Sequence, residues 1–188
     1  GTIVSIESNS SKKADQTIDC KGSFVSGGWV DVFSNFCDPG FEFKETLQSG
    51  IAAAAAGGYT RVLVMGDTKP VTDNKAQVAY IHAAGTHANV TLHPIGAITK
   101  KMEGQSLAEM YDMRASHAVA FSDGMHPVQY PGVFLKALQY VIAFDGILQV
   151  SYVDFHHDTY KEDNKPSPIK NPDGSTRWIR TMKVIKFP

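Results

Sequence analysis

From residue 29 onward, short apolar runs and amphipathic segments take turns along the chain. Residues 29–33 read as a buried strand. The pattern then predicts a helix over 41–56, with Leu47, Ile51 and Ala55 at helical spacing. Gly57 and Gly58 follow, where a glycine can take the left-handed conformation that ends a helix. A strand is predicted at 59–65, then a helix from an Asp73 cap to about Ala84, with Gly85 just beyond. Residues 89–95 predict a strand, 105–115 a helix and 118–121 another strand. Pro131, at home in a first helical turn, opens a helix through Ala143, and 147–153 closes the series. Such alternation argues for parallel strands joined by helical crossovers.

The flanks read differently. Residues 2–6 alternate apolar and polar as a half-buried strand does, 7–16 form a polar loop, and 18–25 offer a second strand interrupted at Lys21-Gly22. Beyond His156 the helical pattern stops. Residues 164–174, rich in Pro, Asn, Lys and Asp, predict a loop, and 178–187 a final strand. Three parts follow: an N-terminal β segment at 1–28, a β/α part at 29–153 and a C-terminal β segment at 154–188. The middle part offers about five strands, whereas a closed eight-stranded parallel barrel takes about 250 residues. The sheet is therefore open, or the chain is an incomplete copy of something longer.

Composition narrows the classes. With 188 residues, 43% hydrophobic and 20% charged, the chain can bury a core, which excludes wholesale disorder. A net charge of −1 argues against nucleic-acid binding. No apolar run approaches the ~20 residues that span a bilayer. Cys20 and Cys37 are too few for a disulfide scaffold or a cysteine-ligated zinc site, and read as buried thiols of a reducing cytoplasm. Gly1 to Val4 show no basic head with an apolar stretch behind it, so a cytoplasmic address is expected. The missing initiator Met suggests a start inside a longer natural sequence.

The segment Asp-Val-Phe-Ser-Asn-Phe-Cys-Asp-Pro-Gly-Phe-Glu at 31–42 resembles the first barrel strand and following loop of the dihydroorotases, amidohydrolase-superfamily enzymes of pyrimidine synthesis. The likeness continues through Ala-Ala-Ala-Ala-Gly-Gly-Tyr-Thr at 53–60, Pro-Val-Thr-Asp-Asn at 70–74, His-Pro-Ile-Gly-Ala-Ile-Thr-Lys at 93–100 and Ala-Val-Ala-Phe-Ser-Asp-Gly at 118–124. It covers roughly residues 1–148, with a faint echo of that family's C-terminal β segment beyond. The resemblance implies a (β/α) barrel of TIM type, incomplete in this chain. A small β segment would be built from the N- and C-terminal parts.

The resemblance also implies hydrolysis of a cyclic amide by a metal-bound hydroxide, held by imidazole and carboxylate ligands around an open coordination position. In the family the first strand gives His-x-His, two side chains on one face, and then an Arg two residues on. Those positions here are Phe33, Asn35 and Cys37. Phe33 has no donor atom, Asn35 is a poor zinc ligand, and Cys37 lacks the guanidinium fork that holds a carboxylate. The family's substrate-contacting Asn is replaced by Asp67, and its Phe-Ser-Asp-Asp-Gly stretch is one acid short, leaving Asp123 as the candidate catalytic acid or ligand. The blander reading of Asp123 is a solvated turn acid after a strand.

Other histidines offer candidate replacements. His93 lies on a strand, His126 follows Asp123 closely, and His156-His157-Asp158 is the best local cluster, although neighbours on a strand face opposite ways. His82, His87 and His117 read as surface or half-buried residues. No nucleophile elbow, phosphate loop or dinucleotide turn is present. The expectation is therefore a dihydroorotase-like protein of pyrimidine biosynthesis, catalytically inactive, with no metal and a structural or partner-binding role. By family analogy the partner is a second copy or a pathway enzyme such as aspartate carbamoyltransferase. The alternative is an active amidohydrolase that uses zinc on ligands not recognisable in this sequence.

Overall fold

The computed structural model describes residues 3–8, 12–126, 128, 130–151, 168–170, 176–178 and 182–185. Five parallel strands run side by side in chain order: β1 (Trp29–Ser34), β2 (Tyr59–Val64), β3 (Thr91–Gly96), β4 (Ala120–Phe121) and β5 (Leu148–Ser151). Helices α1 (Leu47–Ala56), α2 (Lys75–Gly85), α3 (Met110–Ala115) and α4 (Pro131–Ile142) connect them. A short hairpin of β6 (Pro168–Lys170) and β7 (Thr176–Trp178) precedes β8 (Met182–Ile185), which adds antiparallel to β5. The sheet curls far enough for Gln149 Nε2 of β5 to donate to the Val32 carbonyl of β1 at 3.4 Å.

Side chains alternate across the sheet with the period of two that strands impose. Val62, Val64 and Leu92 point outward, where Leu47 and Ala54 of α1 and Ile81 of α2 bury them. Met110, Met113, Ala137 and Val141 of α3 and α4 cover Phe121 and Leu148 in the same way. Leu63, Met65 and Ile95 face the concave side with Phe33 and Ile147. The alanines of α1 fit this arrangement, since a small side chain lets a helix lie close to a strand.

Helix starts follow local acceptors more than periodicity. Helix α1 begins at Leu47 rather than 41, because Thr46 and Ser49 form a reciprocal capping box and Asp38 Oδ2 takes the Leu47 N–H at 3.0 Å. Gly58, at φ +79°, adopts the left-handed conformation expected after that helix. Asn74, not Asp73, caps α2, accepting from Ala76 N at 3.0 Å. Asp73 instead accepts the Lys101 N–H at 2.9 Å. Helix α3 starts at Met110 rather than 105 because the preceding residues pair with the loop after β3, Ala108 N donating to Ile98 O at 2.9 Å.

The N-terminal expectation fails. The described residues of 3–28 form no strand, and Ile3, Val4, Ile6, Ile18, Phe24 and Val25 are exposed. Alternation describes a face, but a strand also needs a neighbouring ladder, and among the described residues none pairs with this segment. The predicted loop at 164–174 contains β6, and the region predicted as one final strand, 178–187, holds β8 and the last residue of β7. Cys20 is exposed and Cys37 half-buried, so neither is the buried thiol expected. No helix among the described residues is long and apolar enough to cross a membrane.

Candidate functional site

In parallel α/β sheets, closed or open, polar loops at the C-terminal ends of the strands carry the chemistry. Here those loops hold Asn35 and Cys37 after β1, Asp67 after β2, Thr99 after β3 and Asp123 after β4.

The end of β1 is shaped by a register shift between Asp31 and Ser34. Asp31 compensates for the interrupted ladder, its Oδ1 accepting from Phe33 N at 2.9 Å and its Oδ2 from Ser34 Oγ at 2.6 Å. The Phe33 ring packs with Met65, Ile95 and Ala120 on the concave face. Asn35 turns its amide back onto its own loop, Oδ1 accepting from Cys37 N at 3.3 Å and lying 3.5 Å from Cys37 Sγ. Cys37 sits at φ +61°, a region that residues with a side chain seldom adopt. At these three positions the chain offers a hydrocarbon ring, an amide engaged in a turn, and one thiol. That donor set does not fit a divalent zinc site. Among the described residues no three His, Cys, Asp or Glu side chains converge.

Asp123 is buried, and both its oxygens are occupied. Oδ1 accepts from Ile98 N at 2.8 Å and Thr99 N at 2.9 Å, and Oδ2 accepts from Thr99 Oγ1. Thr99 Oγ1 in turn accepts from Gly104 N at 2.9 Å. Asp123 therefore fastens the loop after β3 to the end of β4. Burial pushes its carboxyl upward, against the pull of these bonds and of nearby His126. It is not the solvated turn acid of the blander reading.

Asp67 lies beside it. Its Oδ1 is buried and has no hydrogen-bond partner among the described residues. Gly124, at φ +59°, packs against that carboxyl so closely that a Cβ there would stand 2.4 Å from Oδ1. Only glycine satisfies both the backbone conformation and the space. Desolvation raises the Asp67 pKa, and the neighbouring His126 opposes the rise. The arrangement brings Asp67, Asp123 and His126 into one electrostatic neighbourhood and leaves Cys37 and Asn35 in the adjacent loop.

Several residues that hold this end of the sheet gave no signal as a group. Asp38, 4% exposed, joins two helices, taking the Leu47 N–H on one oxygen and Tyr80 Oη on the other at 2.9 Å. Thr68 and Thr72 bond each other at 3.0 Å inside the loop that carries Asp67. His93 lies on β3, facing the concave side near Arg61, apart from the loop carboxylates. His82 and His117 stack with centroids 4.2 Å apart. His156, His157 and Asp158 fall outside the described residues.

The curled parallel α/β sheet gathers its carboxylates at the strands' C-terminal ends, the end where α/β enzymes place their chemistry. The sequence matches the Dihydro-orotase-like family over residues 22–165. It is 45% identical to the dihydroorotase of Syntrophotalea carbinolica over 131 residues, 69% of this chain and 31% of that protein. With the dihydroorotase of Pelotomaculum thermopropionicum it shares 42% over 139 residues, 74% of this chain and 32% of the relative. The dihydroorotase of Geobacter metallireducens is 42% identical over 140 residues, 74% and 33% respectively. This chain belongs to the dihydroorotase-like family. It spans about a third of the length of these curated relatives.

Proposed function

We propose that this chain is a dihydroorotase-related protein of pyrimidine biosynthesis that has lost metal-dependent hydrolysis and serves a structural or partner-binding role in the cytoplasm. Its sheet is, on this reading, part of a TIM-type barrel. The observation that carries the proposal is the donor set at the end of β1, where Phe33 packs into the concave core and Asn35 is engaged with Cys37. Water activation by zinc needs converging imidazole or carboxylate ligands with a free position, and these residues supply neither. The state of Asp123 supports the same reading, because a carboxylate that accepts three hydrogen bonds has little capacity left for an ion. Asp67 adds a half-buried carboxyl, whose Oδ1 has no hydrogen-bond partner among the described residues, where an anionic substrate would have to approach.

The partner on this reading is a second copy or an enzyme of the same pathway, with aspartate carbamoyltransferase the first to try. The competing reading, a zinc-dependent cyclic amidohydrolase, requires ligands outside the described residues. Metal content and turnover separate the two. The purified protein is expected to carry far less than one zinc per chain by mass spectrometry, and to hydrolyse dihydroorotate no faster than a Cys37→Ala control. Stoichiometric zinc together with turnover above that control would overturn the proposal.

A further inference from the structure

The concave face holds a recess nearer the strands' N-terminal ends, away from the loop carboxylates. Val30 and Val32 of β1, Leu63 of β2, and Val119 and Ile147 ahead of β4 and β5 wall a cavity of about 390 Å³. Pockets that take small organic molecules run from roughly 300 to 1,000 Å³ and combine apolar walls with a few placed polar groups. The polar groups here are Arg61 on β2 and His93 on β3, with the Gln149 amide at the rim of β5. Among the described residues Arg61 has no ion-pair partner, and no carboxylate lines the recess.

We propose that this recess binds a small amphipathic carboxylate, with its hydrocarbon body on the valines and Leu63 and its carboxylate on the Arg61 guanidinium beside His93. A guanidinium presents two parallel N–H donors matched to a carboxylate, and the pairing gains strength where water is partly excluded. The walls favour an aliphatic body over a compact inorganic anion, which would leave them unfilled. A cation is disfavoured by Arg61. A second copy of the chain would bring identical cationic side chains to this face, with no acidic group in the lining to meet them. His93 supports the assignment: burial first, and the charge of Arg61 next, lower its pKa, so the ring is uncharged at neutral pH. A bound carboxylate would neutralise Arg61 and allow the ring to take a proton more readily.

Calorimetric titration with decanoate and with decanol tests this on the purified chain, together with NMR titration of the His93 ring. Decanoate is expected to bind more tightly than decanol. Arg61→Gln should weaken decanoate about tenfold or more, the equivalent of one lost charge-assisted contact, while leaving decanol unchanged. Arg61→Lys should recover part of the loss. Saturating decanoate should raise the His93 pKa. The proposal is overturned if decanoate does not bind, if decanol binds equally well, if Arg61→Gln binds decanoate like the parent, or if His93 titrates identically with and without it. Arg61 is exposed, so its replacement leaves the fold intact and the comparison readable.

Discussion

The two ends of one sheet have opposite chemistry. At the C-terminal ends of the strands the charged side chains are mostly acidic and engaged with backbone: buried Asp38 with Leu47, half-buried Asp73 with Lys101, and buried Asp123 with Ile98 and Thr99. Nearer the N-terminal ends the concave face instead carries the Arg61 cation and the His93 ring on an apolar wall. Hydrogen bonds that satisfy buried backbone donors hold a shape, whereas a cation without a partner beside apolar surface is free to recognise something. The contrast teaches that the residue types usual at an active end can be retained as fasteners. The capacity to bind can meanwhile lie where barrel proteins ordinarily place packing.

The largest expected effect comes from cutting the principal fastener. Asp123→Ala leaves the Ile98 and Thr99 N–H groups and the Thr99 hydroxyl without their acceptor, and should lower unfolding stability in urea by about 3 kcal/mol or more. A loss below about 1 kcal/mol would break the comparison, because the acidic end would then not be built from such ties.

A smaller effect of opposite sign is expected at Asp67. Its folded-state pKa lies above its ordinary 3.8 because the carboxylate is desolvated, so ionisation works against the fold at neutral pH. Asp67→Asn should therefore raise the urea midpoint at pH 7. As pH falls from the raised value towards 3.8, the wild type takes up its proton in the folded state first, and the advantage of Asn should vanish. A midpoint difference that is constant with pH would show that the carboxyl is not held in the way described.

The smallest effect is expected at the basic end. Arg61→Gln should change stability by no more than about 0.5 kcal/mol, as a solvent-facing side chain does. A larger loss would make Arg61 a structural residue and remove the distinction between the two ends.

Much of this scaffold was legible along the chain. Alternating residues located β2 and β3, Pro131 marked the first turn of α4, and Gly58 marked the end of α1. Helix starts were misplaced where the deciding acceptor was distant or indistinguishable from its neighbour, as with Asp38 for α1 and Asn74 beside Asp73 for α2. The N-terminal alternation misled because an apolar face predicts a strand only when a partner strand exists to receive it. The sequence singled out Phe33, Asn35, Cys37, Asp67 and Asp123, and the structure places them on β1 or in the loops after β1, β2 and β4. The sequence could not show that Thr99 and Ile98 occupy both oxygens of Asp123, since that depends on two loops meeting across the sheet.

The 3.4 Å contact from Gln149 to the Val32 carbonyl also works as a gauge of curvature. A sheet bent until one amide bridges its first and fifth strands follows a tighter arc than a ring of more strands would. Each strand inserted past Gln149 would flatten that arc, pull the amide off its carbonyl and widen the space beneath. Whatever widens the sheet between β5 and β1 therefore resizes the chamber between the valines by moving the Gln149 amide that closes it.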